Sequence, residues 1–364
     1  MSPSGLRREI GQLLFAGFDG HQIPIELRSL TREFGLGGVI LFARNIEGPE
    51  QVADLCFEAA RLGSELPLWV SIDQEGGRVA RLRSPFTEWP PMATLGRSGD
   101  VTLAERFGKA VAAEMSAVGI TLDFAPVLDV QTNARNMVIG DRALSEDAKQ
   151  AALLGSAIIR AMQSAGVAAC GKHFPGHGDT IADSHHELPV VDHSPERLRE
   201  IELVPFRAAV EAEVAAIMTA HVLIPALDER MPATLSRPAV TGLLREELGY
   251  QGLILSDDLE MKSIARHYAI ADAGVLAIEA GCDGVLICSS DHDVQARTLE
   301  ALIHAVEDER LARSAVDDIL KRHRRAKERF LTTTISARRA GRTWQAVVGR
   351  DQHRTIADEM ARFV

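Results

Sequence analysis

The residues able to do chemistry crowd into one segment of this 364-residue chain, Lys172-His173-Phe174-Pro175-Gly176-His177-Gly178-Asp179-Thr180, followed by Asp183-Ser184-His185-His186-Glu187. Four of the twelve histidines fall between positions 173 and 186. The glycines and prolines mark a loop with special backbone angles. Within it, the Asp183-x-His185 spacing lets a carboxylate orient an imidazole and support its charge, an acid/base dyad in outline. Further polar clusters stand at Ile72-Asp73-Gln74-Glu75-Gly76-Gly77-Arg78, at Thr219-Ala220-His221 and at Ser256-Asp257-Asp258. A carboxylate nucleophile acting with an acid/base group across a sugar is the logic of retaining glycoside hydrolysis. Asp257 and Asp258 are neighbours, and on an extended strand they point to opposite faces, so only one of them is expected to face the pocket.

Rival chemistries fit less well. His and Asp are also ligands for zinc or iron, but His186-Glu187 runs on into Leu188, Pro189 and Val190, so the helical His-Glu-x-x-His pattern is absent. The cysteines at 56, 170, 282 and 288 form no Cys-x-x-Cys pair, and neither a metal nor an organic cofactor is implied. Gly35-Leu36-Gly37-Gly38 is not a dinucleotide turn, Gly171-Lys172 continues with His where a phosphate loop needs Ser or Thr, and no Gly-x-Ser-x-Gly elbow occurs. Forty basic residues against 51 acidic ones leave a net charge of −11, which repels nucleic acid unless the basic residues cluster. The run from 321 to 327 reads as a solvated helix face. No window approaches the roughly 20 apolar residues of a membrane span, and Glu9 and Gln12 interrupt any apolar leader. A soluble cytoplasmic protein acting on a small molecule is expected, and a monomer is compatible with the sequence.

The elements that must position these residues follow from eight short apolar runs, at 13–18, 38–42, 68–73, 122–127, 168–174, 216–221, 253–257 and 284–288. Their continuous apolarity predicts strands covered on both faces, as in a parallel sheet. Helical spacing recurs between them, at 104–118, 151–163, 198–210, 239–248 and 271–280. Eight strands alternating with helices predict an α/β fold of the (β/α)8 TIM-barrel type, with a doubly wound open sheet as the competitor. In a barrel the catalytic side chains come from the C-terminal strand ends, where the polar clusters of the third, fifth, sixth and seventh runs stand. A composition of 46% hydrophobic and 25% charged residues suits one large core. No linker divides the chain, so a single catalytic barrel over 1–331 is expected. A tail over 332–364 follows, with a terminal helix near 352–363.

With these residues in place, the chain resembles the bacterial β-N-acetylglucosaminidases of glycoside hydrolase family 3, of the single-domain cytoplasmic type that recycles peptidoglycan. The resemblance runs from about residue 6 to about residue 329. It is carried by Lys172 to Thr180 with Asp183-Ser184-His185, by Ile72 to Val79, by Gly140-Asp141-Arg142 and by Ser256-Asp257-Asp258-Leu259-x-Met261. It implies that Asp257 is the nucleophile, His185 the acid/base and Asp183 its partner. It also implies that Asp73, Arg81, Arg142, Lys172 and His173 hold the hydroxyls of the terminal sugar, with His221 and Met261 as lining. The implied substrate is GlcNAc-1,6-anhydroMurNAc, with or without peptide, cleaved through a covalent glycosyl-Asp257 intermediate. A histidine acid/base departs from the usual pair of carboxylates, yet an imidazole of pKa about 6.5 can both give and take a proton near neutrality. Two alternatives remain: a phosphorylase of the same family with phosphate as acceptor, and a noncatalytic sugar-binding barrel. The presence of both Asp257 and His185 argues against the second.

Overall fold

The computed structural model describes residues 3–63, 67–180, 188–339 and 344–364. The chain forms β1 (Leu14–Ala16), β2 (Gly38–Leu41) and β3 (Trp69–Ile72), then an antiparallel hairpin of β4 (Gln74–Gly76) and β5 (Val79–Ala80). It continues with β6 (Leu122–Asp123), β7 (Ala168–Phe174), β8 (Ala216–Thr219), β9 (Leu253–Asp258) and β10 (Gly284–Ile287). Every strand except the hairpin pair joins one closed barrel, each parallel to its neighbour along the chain, and β10 returns to β1 with Leu14 opposite Val285. All eight expected apolar runs supply a barrel strand, and the open sheet is excluded. The hairpin, inserted after β3, was not expected.

The two-sided apolarity has a simple cause. Successive residues of a strand point to opposite faces, so Ile40 and Trp69 fill the barrel interior while Val39 and Val70 pack outward against the helices. The helices that cover the outer face are bounded by ordinary local chemistry. Asp100 caps Val101–Val118 by accepting from the N–H groups of Thr102 and Leu103, and Gly119 ends it at φ 89°. Asp147 caps Ala148–Ser164. The expected helices at 198–210 and 239–248 are present, but Leu198–Glu202 and Pro238–Glu247 are wound with the wider π-type turn.

The N-terminal end of the barrel is closed by the helix Arg313–Arg339, whose Phe330 and Leu331 join the interior cluster. The anticipated division between 331 and 332 therefore falls inside a helix. Beyond it, the helix Asp351–Ala361 packs on the barrel exterior, where Arg106 makes a two-point ion pair with Glu359 at 2.6 and 3.1 Å. The buried Glu114 joins this tail to the segment after β5. It accepts from the Thr87 N–H at 2.9 Å and hydroxyl at 2.6 Å, and from the Gly349 N–H at 3.0 Å, and it pairs with His353 Nδ1 at 2.8 Å. Position 349 needs glycine, since φ is +64° and a Cβ would lie 2.2 Å from the Pro85 carbonyl oxygen. Among the described residues, no helix is long and apolar enough to cross a membrane.

Candidate active site

At the C-terminal ends of the strands the barrel opens into a cavity of about 220 Å³. Asp73, Arg81, Arg142, Lys172, His173 and Asp257, six of the eight expected site residues, all line it. The other two, Asp183 and His185, lie outside the described residues.

Local irregularities bring these groups together. In β7, Lys172 stands opposite Met218 but Phe174 opposite Thr219, so one extra residue bulges the strand. A bulge breaks the alternation of faces, and the consecutive Lys172 and His173 both reach the cavity. A second bulge lies in β9, where Leu255 pairs with Gly284 and Asp258 with Leu286. The expectation that only one of Asp257 and Asp258 could face the pocket is thereby corrected: both line it, because the bulge removes the strict period of two. The β4–β5 hairpin supplies Arg81. Gln74 holds the hairpin closed by accepting from the N–H groups of Arg81 and Leu82 at 2.8 and 2.9 Å. Arg78 reaches across to Asp141 at 3.1 Å and to the carbonyls of Met137 and Val138, fixing the segment that carries Arg142.

One wall of the cavity is a lattice of alternating charges. Lys172 Nζ lies 2.7 Å from Asp73 Oδ1 and 2.6 Å from Glu75 Oε1. Arg142 grips Glu75 through Nε and Nη2, both at 2.8 Å, and Arg81 meets Asp73 at 3.2 Å. Burial alone would neutralise these groups, but the pairing prevails. Against the burial effect, Lys172 and Arg81 hold Asp73 below its ordinary value, Arg142 and Lys172 hold Glu75 well below, and Asp73 and Glu75 raise Lys172. The wall is therefore ionised and rigid at neutral pH, with fixed donors and acceptors for a polyhydroxyl ligand. Arg81 Nε is buried and has no hydrogen-bond partner among the described residues, a donor available to such a ligand.

Several groups in or beside the cavity had no expected role. Glu75 stood inside a quoted motif, two residues after Asp73, and that spacing was its only signal. Asp258 is pushed up to about 7 by burial, with Glu260 and Asp257 nearby. Asp123, at the end of β6, is pushed up to about 8 by burial, and its Oδ2 has no partner among the described residues. Asp129 is held below the ordinary carboxylate range despite burial, because His173 lies against it. His177 is lowered to about 4 by burial and packs edge-on to His173 with ring centroids 6.0 Å apart. Of the two lining candidates, Met261 borders the cavity. His221 lies behind it, its ring bridging Thr234 Oγ1 at 2.8 Å and the Asp258 carbonyl oxygen at 2.9 Å.

Residues 5–326 match the family described as Glycosyl hydrolase family 3 N terminal domain. Over 260 residues the chain is 45% identical to a beta-hexosaminidase of Thiobacillus denitrificans, covering 70% of this chain and 72% of that protein. Its structure superposes with a TM-score of 0.91 on a glycoside hydrolase family 3 beta-N-acetylglucosaminidase from Paenibacillus sp. str. FPU-7, 40% identical, over 98% of this chain and 68% of that one. NagZ from Neisseria gonorrhoeae, in complex with N-trifluoroacetyl-D-glucosamine, is 31% identical with a TM-score of 0.77, over 97% of this chain and 98% of that one.

Proposed function

The chain belongs to glycoside hydrolase family 3, and from that premise we propose that it is a retaining exo-β-N-acetylglucosaminidase of peptidoglycan recycling. It is a glycosidase of the β-hexosaminidase type, with a carbohydrate substrate. The substrate proposed is GlcNAc-1,6-anhydroMurNAc, with or without its peptide, encountered in the cytoplasm by the barrel of residues 1–331. The support for that choice is the family resemblance of the sequence motifs, together with a likeness to NagZ from Neisseria gonorrhoeae that extends over nearly the whole of both chains.

In the proposed reaction Asp257 attacks the anomeric carbon while His185 protonates the departing glycosidic oxygen. This forms a covalent glycosyl-Asp257 ester and releases the anhydromuramyl product. His185, now neutral, then deprotonates a water that attacks the same carbon, freeing GlcNAc with its configuration retained and restoring the Asp257 carboxylate. Asp183 would stabilise the imidazolium form of His185 that the first step consumes and the second regenerates.

The observation that carries this reading is Asp257 in one cavity with the ionised lattice of Asp73, Lys172, Glu75 and Arg142. The lattice would grip the hydroxyls of a terminal sugar, leaving its anomeric carbon to Asp257. Asp258 is the weaker nucleophile. A carboxyl titrating near 7 is only about half ionised at neutral pH, and its Oδ1 already accepts from the N–H groups of Glu260 and Cys288.

The test is initial-rate release of the aryl group from an aryl β-N-acetylglucosaminide in phosphate-free buffer, beside Asp257→Ala. Turnover by the parent and a loss of about 10⁴-fold or more in the variant are expected. Comparable rates in both would remove Asp257 from the nucleophile role, and a sugar 1-phosphate formed on adding phosphate would make the protein a phosphorylase. His185→Ala should slow glycosides with poor leaving groups more than aryl glycosides, because an aryl oxygen needs less protonation. Equal slowing of the first step on both would count against acid catalysis by His185.

A further inference from the structure

Asp129 does not line the sugar cavity, yet its carboxylate is built entirely into the turn that does. Oδ2 accepts from His173 twice, from the backbone N–H at 3.2 Å and from ring Nδ1 at 2.7 Å. Oδ1 accepts from the His177 N–H at 2.6 Å. The side chain is 0% exposed, and the turn is pressed against its segment. A Cβ at position 178 would lie 1.8 Å from the Val130 carbonyl oxygen, and Asn136 Nδ2 donates to the His177 carbonyl at 2.6 Å. With three N–H groups around it and a residue position fixed on both sides, this carboxylate has no room to rotate.

We infer that Asp129 is a positioning residue that fixes the imidazole of His173 with its proton on Nδ1, so that Nε2 is presented to the substrate as a hydrogen-bond acceptor. An ionised carboxylate only accepts, so the ring nitrogen 2.7 Å from Oδ2 must be the one that donates. In its neutral form the ring then has its lone pair on Nε2. The consequence for recognition is specific. Lys172 and the two guanidinium groups of the cavity can only donate, so His173 supplies an acceptor for a sugar O–H in addition to the carboxylates that line the same cavity. Asp129 acts through His173 and touches no substrate itself. The inference rests on the proposed place of His173 in the sugar cradle.

The experiment has two arms. In the first, the protein labelled with ¹⁵N-histidine is examined by long-range ¹⁵N–¹H correlation, with His173 assigned by its disappearance in His173→Gln. The expected spectrum has the neutral ring protonated at Nδ1, and a proton found on Nε2 instead overturns the inference. This arm needs no Asp129 variant, so it decides even if such a variant fails to fold. In the second arm, kcat/KM on an aryl β-N-acetylglucosaminide is measured for Asp129→Asn, His173→Gln and the double variant. An amide cannot serve all three N–H groups, so Asp129→Asn should lose about 10-fold or more. Because it acts through His173, the double variant should lose no more than the worse single one. Full additivity overturns the coupling, which a merely structural role of Asp129 would not produce. Unchanged kcat/KM in His173→Gln would instead overturn the placement of His173 against the sugar, whatever its tautomer.

Discussion

Lys172 and Lys327 are both buried, at 2% and 0% exposure, yet they are shifted in opposite directions. Lys172 stands at the C-terminal end of the barrel between Asp73 and Glu75 and is raised above the ordinary lysine value, the carboxylates prevailing over desolvation. Lys327 stands at the N-terminal end, beneath the interior cluster, with its Nζ 2.8 Å from the neutral amide oxygen of Gln12. Desolvation there lowers it to about 7. A buried amine keeps its charge where carboxylates are fixed within reach and gives it up where only a dipole is offered. His323, one turn before Lys327 on the same helix and lowered to about 4 by burial, belongs to the second kind. Thus Lys172, at the end of the barrel that holds the proposed site, stays ionised in its lattice, whereas Lys327 and His323, at the end that closes the core, give up their charges.

Removing the partner is the most damaging way to break this contrast. Glu75→Gln leaves Lys172 and Arg142 with one carboxylate fewer between them, and losing one partner of a buried pair costs about 3–5 kcal/mol. A drop of that size in denaturant stability is expected, together with a loss of kcat/KM of about 10²-fold or more, since the cations would turn towards Asp73 and Asp257. A variant of parental stability and activity would show that the lattice does not depend on its charges.

The N-terminal end gives a smaller effect with a definite pH signature. In the folded protein Lys327 releases its proton near pH 7, whereas in the unfolded chain it holds it to about 10.4. Between these values the unfolded state binds one more proton, so Lys327 makes stability rise with pH by about 1.4 kcal/mol per unit. Below pH 7 both states are charged and the whole cost of the buried cation is present. Lys327→Met should therefore stabilise the protein most at pH 6, by about 1–4 kcal/mol. The gain should shrink towards pH 10, where the parent is neutral and Gln12 has lost a donor in the variant. Activity should be unchanged. A difference between parent and variant that is flat across pH 6 to 10 would place Lys327 with Lys172 after all.

The same contrast explains what could be read from the amino acids alone. Barrel strands such as 38–42 and 68–73 are legible because both faces of a parallel strand are apolar, and that signature is local. Lys172, His173 and Asp257 are legible because polar residues stand at the ends of those runs. Asp129 and Glu114 are not, because each is a lone carboxylate whose partners arrive from elsewhere in the chain: His173 and His177 for one, Thr87 and Gly349 for the other. The two facing aspartates of β9 escape a pattern-based reading for another reason. Alternation holds only while the strand is regular, and the bulge between Leu255 and Asp258 is set by pairing with β10.

Glu114 offers an intermediate case, and with it the mildest test. It is buried like the two lysines, and against desolvation its hydrogen bonds from His353 and Thr87 hold it below the ordinary carboxylate value. Its charge is thus kept mainly by directed donors, the Thr87 hydroxyl and N–H and the Gly349 N–H among them, rather than by a lattice of ions. Taking away His353 leaves those three donors in place, so His353→Gln should cost only about 1 kcal/mol, much less than Glu75→Gln, with kcat/KM near that of the parent. A carboxyl lowered on folding contributes stability above its unfolded pKa and loses it as pH falls through the folded one. In acid, therefore, stability should decline in His353→Gln at a higher pH than in the parent, because the carboxylate has one donor fewer. A loss as large as that of Glu75→Gln would mean that Glu114 is held by charge, as Lys172 is, and that its hydrogen bonds are incidental.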